Sequence, residues 1–167
     1  MNRAQLLRAA LAMCCAAAVS PASAQGRQPG ADPIIGTWKL NPAHTHTSGP
    51  VPILPPAQRV EEYRQTETGH IALSITTTAS DGTTTTSNML FSARGGVVTQ
   101  QNPSEGQMLV ETQVAPGEWL VTYLAKGVQH LTMRKVVSTN GRTMRQTFAG
   151  MTAQGRSFEG LLVFDRQ

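Results

Sequence analysis

The chain has 167 residues, 40% of them apolar, and a formal net charge of +4. That length carries one ordinary domain with a sizeable core and excludes two comfortable ones. Arg3 and Arg8 fall in an N-terminal export segment, which leaves 12 of the 14 Lys and Arg against 10 Asp and Glu, scattered along the chain, and excludes the concentrated basic face that nucleic-acid binding needs.

Residues 1–24 have the layout of a secretory signal peptide. Arg3 and Arg8 give the positive start, an apolar run covers 6–19, and Ala22-Ser23-Ala24 supplies the small-x-small pattern before Gln25. The run is short for a membrane span, so no transmembrane segment is expected in the mature chain. Cys14 and Cys15 lie inside it, and Met13 is a poor residue to precede a lipidated cysteine, so ordinary cleavage is the reading. Both cysteines leave with the segment, and the mature chain, periplasmic or secreted, has neither disulfide nor thiolate chemistry. Residues 25–32, polar with Gly and Pro, read as a flexible leader. Residues 33–167 then form a single domain.

That domain opens on Pro33-Ile34-Ile35-Gly36-Thr37-Trp38-Lys39-Leu40-Asn41, read as a first strand with Trp38 plugging one end of the fold. Prolines at 42, 50, 52, 55 and 56 make 42–56 an extended connection with room for one short helical turn. Strands are predicted over 60–66 and 70–79, the latter alternating Ile71, Leu73 and Ile75 against Ala72, Ser74 and Thr76. Asp81-Gly82 is a two-residue hairpin signal, and 83–93 returns. Gly95-Gly96 turns the chain into 97–101, and 102–106 reads as a loop. Strands follow over 108–114, 119–123, 128–138, 143–150 and 157–166, with turns at Pro116-Gly117, Asn140-Gly141 and Gln154-Gly155. Consecutive hairpins favour up-and-down connectivity, and closure removes exposed edges. The expectation is an all-β, up-and-down antiparallel barrel of about eight to nine strands.

Gly36-Thr37-Trp38 followed by this meander resembles the lipocalin and calycin superfamily. Gly36-Thr37-Trp38-Lys39-Leu40-Asn41, the proline-rich connection, the Asp81-Gly82 hairpin and the run from Val137 through Met144 resemble a group of small exported bacterial lipocalin-like proteins. The resemblance implies a small apolar ligand inside the barrel, a tryptophan (Trp38) closing its floor next to Gly36, and an arginine of the last strand (Arg166) packed across that indole. The longer Gly-x-Trp-x-Gly-x-Gly pattern of haem-binding nitrobindin-like barrels is absent, and no cofactor is predicted.

Candidate chemistry is sparse. His44-Thr45-His46 would place two imidazoles on one side of an extended segment, but a metal needs further ligands, and exposed loop histidines are more often solvated. His130, Tyr123 and Glu159 would offer an acid–base group, a phenol and a carboxylate if all three pointed inward. Alternation argues against it, because Glu159 opposes Phe158, Gly160, Leu162 and Phe164. Glu61 and Glu62 are neighbours on a strand, face opposite sides and form no glycosidase-like pair. Met89, Phe91, Tyr123, Met133 and Leu162 are the expected ligand-lining set, with methionine supplying a soft wall. The reading is therefore an exported barrel that binds a small apolar or amphipathic ligand. The alternatives are a cofactor-free isomerase or lyase acting inside the barrel, and a structural or inhibitory module with a filled core. Oligomeric state is left open.

Overall fold

Period-two alternation and closely spaced turn signals give a chain made almost entirely of hairpins. The computed structural model describes residues 31–49, 57–100 and 107–167. The predicted signal peptide (1–24), residues 25–30 of the leader, 50–56 of the proline-rich connection and the predicted loop at 102–106 lie outside them. The long strands are β1 (Gly36–Leu40), β3 (Gln58–Gln65), β4 (His70–Thr78), β5 (Thr84–Ser92), β8 (Gln107–Ala115), β9 (Glu118–Ala125), β10 (Val128–Val137), β11 (Thr143–Met151) and β12 (Ser157–Arg166). Each pairs antiparallel with the next in this series except β5 and β8, and β1 pairs with β12, so the meander curls into a nearly closed up-and-down barrel.

Three short strands complete it: β2 (His46–Ser48), β6 (Gly95–Val97) and β7 (Thr99–Gln100). The predicted strand over 97–101 is therefore corrected to two pieces. β6 pairs with β8 and β7 with β5, so the 95–100 segment bridges the seam between β5 and β8. The split falls at Val98, whose side chain is buried and whose N–H donates to the Leu109 carbonyl at 2.9 Å. The gap left by the proline-rich connection is handled differently. Pro42–His44 forms a single 3-10 turn, after which β2 rejoins the edge of β12 beyond β1. Across the interruption the Thr45 hydroxyl accepts the Val163 N–H at 3.1 Å, replacing a ladder bond that the turn removes.

The floor of the barrel is an aromatic layer. Trp38 is fully buried, and its indole N–H donates to the Ile34 carbonyl at 2.7 Å. The Arg166 guanidinium lies 4.2 Å from the Trp38 ring centroid and donates to the carbonyls of Gly141, Ile35 and Pro33. Gly36 has φ +138°, and a Cβ there would strike that guanidinium. Phe91 meets Trp119 edge to face at 5.5 Å. Asp32, which the sequence groups with the leader, is part of this floor. Its carboxylate accepts from Gln113 Nε2, from the Gly117 N–H at 3.1 Å and from Trp119 Nε1 at 3.4 Å.

Candidate ligand site in the barrel interior

On these strands the residue two positions from a floor residue also faces inward, one step nearer the rim. β3 carries Arg59 and Glu61 rimward of Tyr63. β8 carries Glu111 rimward of Gln113, β10 carries Lys135 rimward of Val137, and β11 carries Gln146 rimward of Met144. These residues form a polar layer above the aromatic floor, and Glu61, Glu111, Lys135 and Gln146 are at most 4% exposed. Burying four such groups in an otherwise apolar core is unfavourable unless they satisfy one another.

Glu61 is the centre of the layer. Its Oε1 takes Arg59 through Nε at 2.8 Å and Nη2 at 2.6 Å. Its Oε2 takes the Tyr63 hydroxyl and Gln146 Nε2, both at 2.7 Å. Burial alone would raise the Glu61 pKa, but the charges of Arg59 and Lys135 with the Tyr63 hydrogen bond outweigh it and hold the carboxyl below 4.5. Lys135 donates to Glu111 Oε1 at 3.0 Å and stands 5.3 Å from the Tyr63 ring centroid. Burial would lower its pKa, yet Glu111 and Glu61 raise it above the ordinary lysine value. Burial first, then Glu61 and Glu111, push the Tyr63 phenol well above its usual range. Two cations and two carboxylates thus balance. Glu111 Oε2 and Gln146 Oε1 are buried acceptors with no donor among the described residues.

Above this layer a pocket of about 310 Å³ opens at the rim. Leu109, Tyr123, Ala125, His130 and Met151 are among the residues that line it, and its walls are predominantly apolar. Tyr123 joins the two levels. Half-buried, it lines the pocket, and its phenol is raised mainly by burial while the fields of Lys135 and Arg59 act against that rise.

The structure sorts the sequence-predicted residues as follows. Phe91, Met133 and Leu162 are buried and Met89 half-buried, all on inward positions; Phe91 belongs to the floor, and of the five Tyr123 lines the pocket. The trio His130, Tyr123 and Glu159 is not assembled. His130 is at the rim, whereas Glu159 is exposed on the outer face of β12 with Ser48 Oγ 3.5 Å away. His44 and His46 do not share the extended segment that would put their imidazoles on one side. His44 ends the 3-10 turn and His46 begins β2, so no continuous extended segment carries both, and both are exposed. Among the described residues no group of three or more His, Cys, Asp or Glu is placed to hold a metal ion.

Arg59, Glu61, Tyr63, Glu111, Lys135 and Gln146 were not anticipated as a group. A signal existed: Lys135 continues the Leu131–Met133 phase of β10, and Gln146 stands between Met144 and Phe148, so each is a polar residue in the apolar phase of its strand.

No family model matches this sequence, and no curated protein matches it. Solved structures do. The S-type phycobiliprotein lyase CPES from Guillardia theta superposes with a TM-score of 0.53 at 10% identity, covering 81% of this chain and 89% of that one. A variant of the fluorescent protein UnaG superposes with a TM-score of 0.51 at 12% identity, covering 81% and 96%. At such identities the likeness is one of fold. The chain is an all-β, nearly closed antiparallel barrel. Its fold is that of a lipocalin-like up-and-down barrel.

Proposed function

We propose that the chain is an exported binding protein, periplasmic or secreted, that holds a small apolar or amphipathic ligand in its barrel. The observation that carries this reading is the apolar rim pocket of about 310 Å³, whose inner wall, Leu109 and Tyr123, continues into the interior. That volume lies at the lower end of the range of small-molecule sites. Burying a ligand against such walls contributes about 25 cal/mol per Å² of apolar surface, less ordering costs. Export rests on the signal-peptide layout of 1–24. Among the described residues no helix is long and apolar enough to cross a membrane.

Titration of the protein with N-phenyl-1-naphthylamine, a neutral apolar fluorophore, tests the reading. Saturable, blue-shifted fluorescence is expected, and Ala125→Trp, which fills the pocket at the end of β9, weakens it by about tenfold or more while the fold is retained. Equal binding by wild type and Ala125→Trp removes the pocket from the proposal.

A further inference from the structure

We infer that the ligand's polar end is a hydrogen-bond donor, an alcohol or an amine on an apolar body, and not a carboxylate. This rests on the binding reading above and specifies the chemistry of the same site.

Each charged donor of the polar layer already serves one of the layer's own carboxylates. Arg59, Tyr63 and Gln146 Nε2 all donate to Glu61, which leaves neither oxygen of that carboxylate without a donor. Lys135 donates to Glu111 and presents its charge to the face of Tyr63. The buried atoms that stand without any partner among the described residues are both acceptors, Glu111 Oε2 and Gln146 Oε1. The amide orientation follows from chemistry, because an ionised Glu61 only accepts, so Gln146 must turn its nitrogen toward it and its oxygen away. A buried acceptor without a donor is a destabilised group, and a ligand that supplies the donor removes that penalty on binding.

Position and charge agree with this. Glu111 is one inward step deeper than Leu109, which lines the pocket; across the β8–β9 ladder Leu109 pairs with Tyr123 and Glu111 with Val121. Lys135, bonded to Glu111, pairs with Gln146 on β11. The two orphaned acceptors therefore flank one lysine at the inner end of the pocket wall. The four charges of the layer sum to zero. A ligand carboxylate would bring a third anion and a further acceptor to a layer whose unpartnered atoms are acceptors, whereas a hydroxyl supplies the donor without adding charge and an ammonium, although a third cation, supplies it to a carboxylate oxygen.

Competition on the full chain tests this. 1-Decanol, decylamine and decanoate, equal in chain length, are each used to displace N-phenyl-1-naphthylamine at neutral pH. The alcohol and the amine are expected to displace it at concentrations about tenfold lower than decanoate does, a difference of about 1.4 kcal/mol. Glu111→Gln removes one anion and offers an amide N–H₂, and should shift the preference toward decanoate. Decanoate competing as well as or better than decanol in the wild type overturns the inference and leaves the binding reading standing. An unchanged order in a folded Glu111→Gln variant also overturns it, and if that variant does not fold, the wild-type series decides alone. Failure of the fluorophore itself to bind overturns the underlying reading and the inference with it.

Discussion

Glu61 shows how much one side chain can be asked to do. It accepts from three residues on two strands while remaining 1% exposed, so its charge is what makes the burial of Arg59 tolerable and is one of the charges facing Lys135. Glu61→Gln should lower unfolding stability by about 3 kcal/mol, the scale for removing one partner of a buried pair, read by urea denaturation at neutral pH. The same residue gives a pH dependence with a definite sign. Because its folded pKa lies below 4.5, its contribution is fully present above 4.5 and is lost as pH falls through the lowered value. Acid unfolding should therefore show a stability loss beginning below pH 4.5 that Glu61→Gln reduces, leaving the smaller share of Glu62 and Asp81. Lys135 works in the opposite direction: raised above 10.5, it contributes below that value and loses its contribution as pH climbs past the raised one.

Among the elements, β11 and β12 show a reciprocal device. Gly160 stands across from Phe148 and Gly150 across from Phe158, and the two rings lie 6.4 Å apart. A Cβ on either glycine would strike the facing ring. The missing side chains are thus the space in which the aromatics lie flat on the ladder. Gly160→Val should cost about 1–3 kcal/mol by overpacking, and Phe148→Leu in the same chain should recover part of it, as a double-mutant cycle in denaturant would show. Strand phase was legible here in advance: alternation put Phe158, Gly160, Leu162 and Phe164 on one face and Glu159 on the other, as the structure has it. The polar layer was not, for a physical reason. Period-two reading ranks faces by their apolar majority, so Lys135 and Gln146 disappear into strands whose other members are hydrophobic. Nothing local says that Glu61 and Gln146, 85 positions apart, will share a hydrogen bond. β3 offers no clear phase at all, because Arg59, Glu61 and Glu62 carry charge on both of its faces. The break at Val98 was equally hidden, since it depends on which neighbour each half of 95–100 finds.

At the scale of the whole molecule the barrel is uneven around its circumference. The β11–β12 ladder runs the length of β11 and the β10–β11 ladder covers Leu131 to Val137, whereas among the described residues β7 meets β5 only at Met89–Gln100 and Leu90–Thr99. On the inward face of β5, Thr85 and Ser87 are exposed. Amide hydrogen exchange should therefore be fastest, among the ladder amides, along β5 and the 95–100 segment and slowest in β10 and β11, with the difference narrowing when ligand fills the barrel. Uniform protection around the ring would show that the seam is no weaker than its neighbours. Up-and-down closure was readable from the hairpin signals because each turn joins strands adjacent in sequence; the β1–β12 junction was readable as a consequence of closing and from the resemblance that packs Arg166 across Trp38.

That junction bears on how the protein is made. Arg166 donates to Ile35 across 131 positions of sequence, and β1 has no partner on that side until β12 exists. A ribosome releases β1 early, so the nascent ribbon must wait, unsealed, for the final stave to emerge. Contacts so remote in sequence form slowly, and the interval between synthesis of the first strand and the last is when a chaperone would find the most to hold.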